Sequence, residues 1–180
     1  MSFTTNPVVV RLAPSITLPG TATGRENLYY LKLNSTGKCV WANYAANTGM
    51  QLRAGDITYD ALTDTVYGVG DYYMAATGST GFYFGSFQQT LIIGNAQSLQ
   101  RGFLVALNTS TGAYLNAVSY GGISYTWADG VETDLSGIVY VTGSFSADSI
   151  TLMYGGPSVC DILDSNGGYD IYITRALSVS

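Results

Sequence analysis

The chain contains no histidine. That excludes nucleophile–imidazole pairs of the Ser–His or Cys–His kind. It also leaves a zinc site only two cysteines and carboxylates to work with, a rare ligand set. Charge is nearly as scarce: Asp, Glu, Lys and Arg make up 11% of the 180 residues, less than half the ordinary share of about 25%. Only seven residues are basic, and the net charge is −5. A surface that tracks phosphates needs clustered Lys and Arg, so neither nucleic acid nor an anionic membrane is an expected partner. No apolar run approaches the roughly 18–20 residues of a helical membrane span, so no membrane insertion is expected. The opening residues, MSFTTNPVVVRLAPS, lack the basic start and apolar core of a secretory signal as written. Cys39 and Cys160 fit no CxxC spacing; they read as buried, inert thiols, with a disulfide between them as the alternative.

What is present is apolar and turn-rich. Hydrophobic residues make up 47% of the chain, alongside 22 Gly and 15 Tyr, a composition too apolar for disorder. With so few charges the polar surface has to come from Ser, Thr, Asn, Gln and Gly, which points to strands joined by tight turns. The text also repeats. Residues 27–37 (NLYYLKLNSTG) return as 101–112 (RGFLVALNTSTG) and in part as 170–177 (DIYITRAL). Residues 58–71 (TYDALTDTVYGVGD) match 132–144 (ETDLSGIVYVTGS) with one residue deleted. A short apolar segment precedes each copy, at 16–18, 90–93 and 150–154. Repetition at this period decides the architecture before any single residue does.

The spacing predicts strands at 8–12, 28–33, 39–44, 56–60, 65–73, 103–107, 114–120, 131–134, 138–145, 150–154 and 171–177, with an irregular Gly/aromatic insertion at 74–89. No segment has apolar residues at helical period over a helical length, so no helix is expected. The expected fold is all-β: antiparallel four-stranded repeat units, β-propeller-like, partial and completed by other chains. A β-sandwich is the alternative. The expected division is an N-terminal strand arm at 1–15 and a repeat domain at 16–180, with cycles at about 27–100 and 101–169 and a partial one at 170–177.

The pattern resembles the bacterial SBBP repeat of seven-bladed β-propellers. Residues 170–175 match its opening strand, Ser35 to Gly37 its turn and Trp41 its tryptophan. Residues 130–134, 138–145 and 150–152 match the rest, so that the likeness covers about 16–177. Val69-Gly70 stand where the repeat has Thr-Gly, and Asn116 where it has Trp. The resemblance implies scaffold and binding roles and carries no catalytic signature. About two and a half repeats are present, beginning and ending mid-blade, whereas a closed propeller needs about four to eight blades. Strands at the two ends would then lack intrachain partners, and open edges are templates for association. The expected assembly strands are Val8, Val9, Val10, Arg11 and Leu12 at one end and Ile171, Tyr172 and Ile173 at the other. The expectation is a non-enzymatic structural subunit that assembles with itself, as a ring if the rotation closes and a filament if it does not.

Other constellations compete with that reading. Glu132 and Asp134, with Asp129 nearby, are the acidic cluster that a glycosidase would need. The bland alternative is that Asp60 and Asp134, at equivalent repeat positions, bind turn amides. Asp164, Asn166 and Asp170 place oxygens at alternate positions as a calcium loop does, but DSNGG is also an ordinary turn. No cofactor is called for. Asn34 and Asn108 open sequons at equivalent hairpin tips, where turn chemistry favours Asn in any case. Tyr72, Tyr73, Phe82, Tyr83, Phe84, Phe87, Tyr125 and Trp127 form an aromatic surplus suited to subunit contacts or, in a carbohydrate-binding module, to glycans. The low-charge, Tyr/Thr/Gly-rich surface suits an extracellular or virion structure.

Overall fold

The computed structural model describes residues 9–10, 16–17, 28–47, 50–74, 82–84, 87–89, 100–121, 125–146, 149–153, 159–165 and 167–176. The fold is all-β, and every strand pairing is antiparallel. In chain order the strands are β1 (Val9–Val10), β2 (Ile16–Thr17), β3 (Tyr29–Leu33), β4 (Cys39–Asn47), β5 (Met50–Asp60), β6 (Thr65–Met74), β7 (Phe82–Phe84) and β8 (Phe87–Gln89). They continue with β9 (Gln100–Asn108), β10 (Tyr114–Tyr120), β11 (Tyr125–Thr133), β12 (Val139–Ser146), β13 (Ser149–Met153), β14 (Val159–Asp164) and β15 (Asp170–Ala176).

Three larger sheets result, in the orders β3-β4-β7-β8, β5-β6-β9-β10 and β11-β12-β15. The predicted hairpins are present, but the sheets join them differently from the expected cycles. The central four-stranded sheet, β5-β6-β9-β10, straddles the cycle boundary: it takes the second hairpin of one cycle (β5-β6) and the first hairpin of the next (β9-β10). The insertion at 74–89 is not wholly irregular, since β7 pairs with both β4 and β8. At the N-terminus Val9 and Val10 pair with Thr17 and Ile16, so β1 has an intrachain partner. Val8, Arg11 and Leu12 lie outside the described residues. Ile171, Tyr172 and Ile173 are likewise paired within the chain, with Ser144, Gly143 and Thr142.

The repeat survives at the level of register. Gly70 pairs with Phe103 in β6–β9, and Gly143 pairs with Tyr172 in β12–β15. In both sheets the aromatic ring crosses the glycine. A Cβ on Gly70 would meet the Arg53 carbonyl oxygen at 2.0 Å and the Phe103 ring at 2.8 Å. One on Gly143 would meet the Trp127 carbonyl oxygen at 2.0 Å and the Tyr172 ring at 2.8 Å. The neighbouring strands carry equivalent one-residue bulges, between Ala54 and Ile57 in β5 and between Ala128 and Gly130 in β11. A bulge leaves one residue unpaired and sharpens the local twist.

Three tips close with one device. Gly37, Gly112 and Gly137 adopt φ of 76°, 72° and 77°, a left-handed conformation that costs glycine little. Their N–H groups donate to the carbonyls of Asn34, Asn108 and Asp134 at 2.9, 2.8 and 3.0 Å. Asn34 Oδ1 accepts from the N–H of Thr36 and Lys38, Asn108 Oδ1 from Ser110 and Thr111, and Asp134 Oδ1 from Ser136 and Ile138.

Alternation along the strands divides the side chains between two cores. Phe103, Val105 and Leu107 point from the central sheet into a core with Leu28, Tyr30, Leu52, Tyr72, Phe84, Tyr114 and Ala117. From its other face Tyr67, Val69, Leu104 and Ala106 point into a core with Ala128, Val131, Val139, Val141, Phe145 and Tyr172. The central sheet is therefore covered on both sides, by the β3-containing sheet on one and by the β11-containing sheet on the other. Gly143→Val should overpack the β11–β12–β15 sheet and cost about 1–3 kcal/mol, read from the midpoint of urea unfolding; an unchanged midpoint would mean that the ring–glycine contact does not constrain the register.

Candidate interaction faces

The last sheet buries one face and exposes the other. Its buried rows run through Ala128, Gly143 and Tyr172 and through Val131, Val141 and Thr174. Its outer rows are Trp127–Ser144–Ile171, Gly130–Thr142–Ile173 and Glu132–Tyr140–Arg175. Ile171 is 82% exposed and Ile173 72%. An aromatic chain borders them: Tyr125 stacks on Trp127 with centroids 5.9 Å apart, and Trp127 meets Tyr169 at 5.8 Å. Tyr125, Tyr140 and Tyr169 are themselves exposed.

The central sheet shows what this face does elsewhere in the chain. By register Ile173 stands where Leu104 stands, Ile171 where Gly102 stands and Tyr140 where Tyr67 stands. Leu104 is 2% exposed, because the last sheet covers it. A Cβ on Gly102 would lie 3.0 Å from that of Ala128.

The first sheet has the complementary condition. Leu31 and Leu33 correspond in the repeated text to Val105 and Leu107, which are buried, whereas Leu31, Leu33 and nearby Val40 are exposed. Behind them is a cavity of about 550 Å³ lined by Tyr30, Leu31, Lys32, Leu33, Trp41, Ile57, Tyr59, Asp64, Val66 and Thr109. That volume lies within the range of about 300–1,000 Å³ usual for ligand clefts. The Thr109 carbonyl accepts from Lys32 Nζ at 2.9 Å and from Trp41 Nε1 at 2.8 Å. The Asp64 carbonyl accepts from the N–H and the hydroxyl of Thr109, and Asp64 Oδ1 accepts from the Tyr59 hydroxyl at 3.0 Å. The Tyr30 hydroxyl is buried without a hydrogen-bond partner among the described residues. Burial, and secondarily the neighbouring Tyr114, raises the pKa of Tyr30 well above that of an ordinary phenol, so it stays protonated and keeps a proton to donate.

The residues singled out in the sequence fall into three groups. Tyr125, Trp127, Ile171 and Ile173 share the outer face of the last sheet. Tyr72 and Phe84 do not serve as contact or ligand aromatics: both are fully buried, and Phe84 packs against Phe103 and Tyr114 at 5.3 and 5.1 Å. The Tyr72 hydroxyl is 2.7 Å from Ser119 Oγ. Tyr73 is half-buried in β6; the side chains of Phe82, Tyr83 and Phe87 lie outside the described set.

The carboxylates are engaged with turn amides or with neighbouring strands. Asp60 accepts from the Leu62 N–H and from Thr63 Oγ1 at 2.9 and 2.6 Å. Glu132 Oε1 accepts from Thr58 Oγ1 and from the Thr133 N–H at 3.0 and 2.9 Å, while Asp129 Oδ2 accepts from Ser144 Oγ. In the suggested calcium loop Asp170 Oδ2 accepts from Ser165 Oγ at 2.6 Å, Asp164 is exposed and Asn166 lies outside the described residues. No group of three metal-ligating side chains occurs among the described residues. Cys39 is a free thiol, half-buried, and donates to the Trp41 carbonyl at 3.1 Å; the side chain of Cys160 is outside the described set.

Exposed Leu31, Leu33, Ile57 and Tyr59 were not singled out in the sequence. For Leu31 and Leu33 the signal is apolar residues on both alternating sets of β3, which a one-sided strand does not need; Ile57 and Tyr59 alternate with Asp56, Thr58 and Asp60 and read as an ordinary one-sided strand. No protein-family model, no curated protein and no solved structure matches the chain.

The Ile138 N–H, followed by the Ser136 contacts and the Tyr140 hydroxyl, holds the Asp134 carboxyl below its usual pKa. A depressed folded-state pKa stabilises above the unfolded value, and that contribution is lost as pH falls through the folded one. Asp134→Asn keeps the acceptor, as at Asn34 and Asn108, and removes the titration. Its thermal midpoint should therefore drop less than that of the native chain below the usual aspartate range; superimposable acid limbs would show that this turn contributes nothing there.

Proposed function

We propose that the protein is a non-enzymatic structural subunit that assembles with itself by stacking the outer face of its last sheet on the outer face of the first sheet of another copy. One observation carries the reading: Ile173 is 72% exposed at the position where Leu104, one repeat earlier, is 2% exposed under a following sheet. The two outer faces are the two halves of the contact that the chain already makes twice internally. The contact is heterologous, so copies add head to tail, giving a ring if the rotation closes and a filament if it does not.

The sequence resemblance to SBBP propeller repeats is in keeping with units that stack this way, and the sheets are read as blade-like units of that kind. The scarcity of charge fits an extracellular or virion lattice. Covering an Ile, Leu or Tyr side chain yields about 1.5–3 kcal/mol, and association costs about 4–15 kcal/mol in lost freedom. A face of four or five such side chains is close to balance, so the assembly should depend on concentration unless a ring closes it.

A second reading rests on the Tyr125–Trp127–Tyr169 cluster, whose exposed rings suit a glycan platform. Light scattering separates the two. The native chain should exceed the monomer mass at micromolar concentration and lose mass on dilution, whereas Ile171→Lys/Ile173→Glu should stay monomeric with an unchanged thermal midpoint. A native chain that is monomeric throughout, and that binds oligosaccharide saturably, would replace assembly with the glycan reading.

A further inference from the structure

The cavity beside β3 runs along the edge of a strand. Four consecutive residues of β3, Tyr30 to Leu33, line it. Successive side chains point to opposite faces, so a cavity touching all four flanks the strand's edge. Among the described strands β3 pairs only with β4. Its counterpart β9 pairs with β6 and β10, and its counterpart β15 pairs with β12. The cavity lies on the side of β3 where β6 and β12 lie in the other two sheets.

The far wall repeats the same relation. In the contact between the central and last sheets, Tyr67 and Val69 of β6 share a core with Val131 and Val139. By register Ile57 and Val66 are the counterparts of Val131 and Val139. Val131 is 4% exposed and Ile57 is 57% exposed. The wall that a β6-like strand would cover is thus apolar and uncovered.

The edge itself is receptive. The Leu28 carbonyl accepts from the Ala45 N–H at 3.1 Å, so the main-chain groups of Leu28 face β4. Main-chain groups alternate sides along an antiparallel strand, which turns those of Leu31 toward the cavity. Edge lysines commonly guard against strand addition, but Lys32 is tied to the Thr109 carbonyl.

We infer that this groove binds an extended peptide segment of another protein, which adds to β3 as an antiparallel strand and lays alternate apolar side chains on Ile57, Tyr59 and Val66. The register of β9 and β15 places a small residue of the segment, ideally glycine, opposite Tyr29. A second copy is a poor donor, because β6 and β12, its strands of this type, are paired on both edges. The groove shares Leu31 and Leu33 with the outer face of the first sheet, but its far wall of Ile57, Tyr59 and Val66 belongs to the central sheet, so a substitution at Tyr59 tests the groove apart from stacking.

A fluorescent peptide with the sequence of residues 138–146 (IVYVTGSFS) stands in for the segment and is titrated with the full chain by anisotropy. Saturable binding is expected, absent for a scrambled peptide and weakened at least tenfold by Leu31→Pro, which removes an N–H on the open edge and leaves the β3–β4 bonds in place. Tyr59→Lys, at an exposed position, provides a second variant that does not threaten the fold and should weaken binding by a similar factor. No saturable binding, binding indifferent to both substitutions, or an oligosaccharide that binds in the peptide's place with Tyr59 dependence would each overturn the inference.

Discussion

Two glycines with no room for a side chain hold the arrangement together. At Gly70 and Gly143 the next strand's ring and the preceding strand's carbonyl occupy the space of a Cβ. A one-residue slip of β9 or β15 would bring a ring against a branched side chain and turn each strand's core residues to the opposite face. The paired bulges in β5 and β11, one position away in each sheet, repeat the same local twist. Register therefore follows from a steric contact, and the division of side chains between faces follows from register.

That division explains why the middle of the molecule is closed and its ends are not. The central sheet is apolar on both sides and has a sheet on each. The outer sheets carry the same text, hence the same two-sided apolarity, yet among the described residues each has a large sheet packed on one face only. A one-sided strand would place Ser, Thr or charge at Leu31, Leu33, Ile171 and Ile173. The proposed stacking would cover the apolar residues there as the last sheet covers Leu104.

The hairpins were legible because their signals are local. Asn or Asp followed by Gly three or four residues later announces each tip, and the conformations of Gly37, Gly112 and Gly137 bear this out. Which hairpins share a sheet was not legible, since the bonds between β6 and β9 span the long segment that holds β7 and β8. The text alone fits pairing within a cycle or across its boundary. The aromatics failed for a related reason. Tyr72 looks like Tyr73, and only its place on the face shared with Phe103 and Leu107 sends it to the core. Ile173 gained meaning once its repeat partner, Leu104, could be compared for burial.

Scarcity of charge acquires a physical role in this setting. Stacked sheets must desolvate whatever lies between them, and a buried unpaired charge is costly. Polar duty is therefore moved to the tips, where Asp60, Asp134, Asn34 and Asn108 bind main-chain amides, and to the rim, where Thr58 meets Glu132 across two sheets. Of the carboxylates that a glycosidase would need, Asp134 closes a turn, Glu132 binds Thr58 and the Thr133 amide, and Asp129 binds Ser144. What the broad faces present instead is apolar side chains such as Ile171, Ile173, Leu31 and Leu33, with their register set from within the chain.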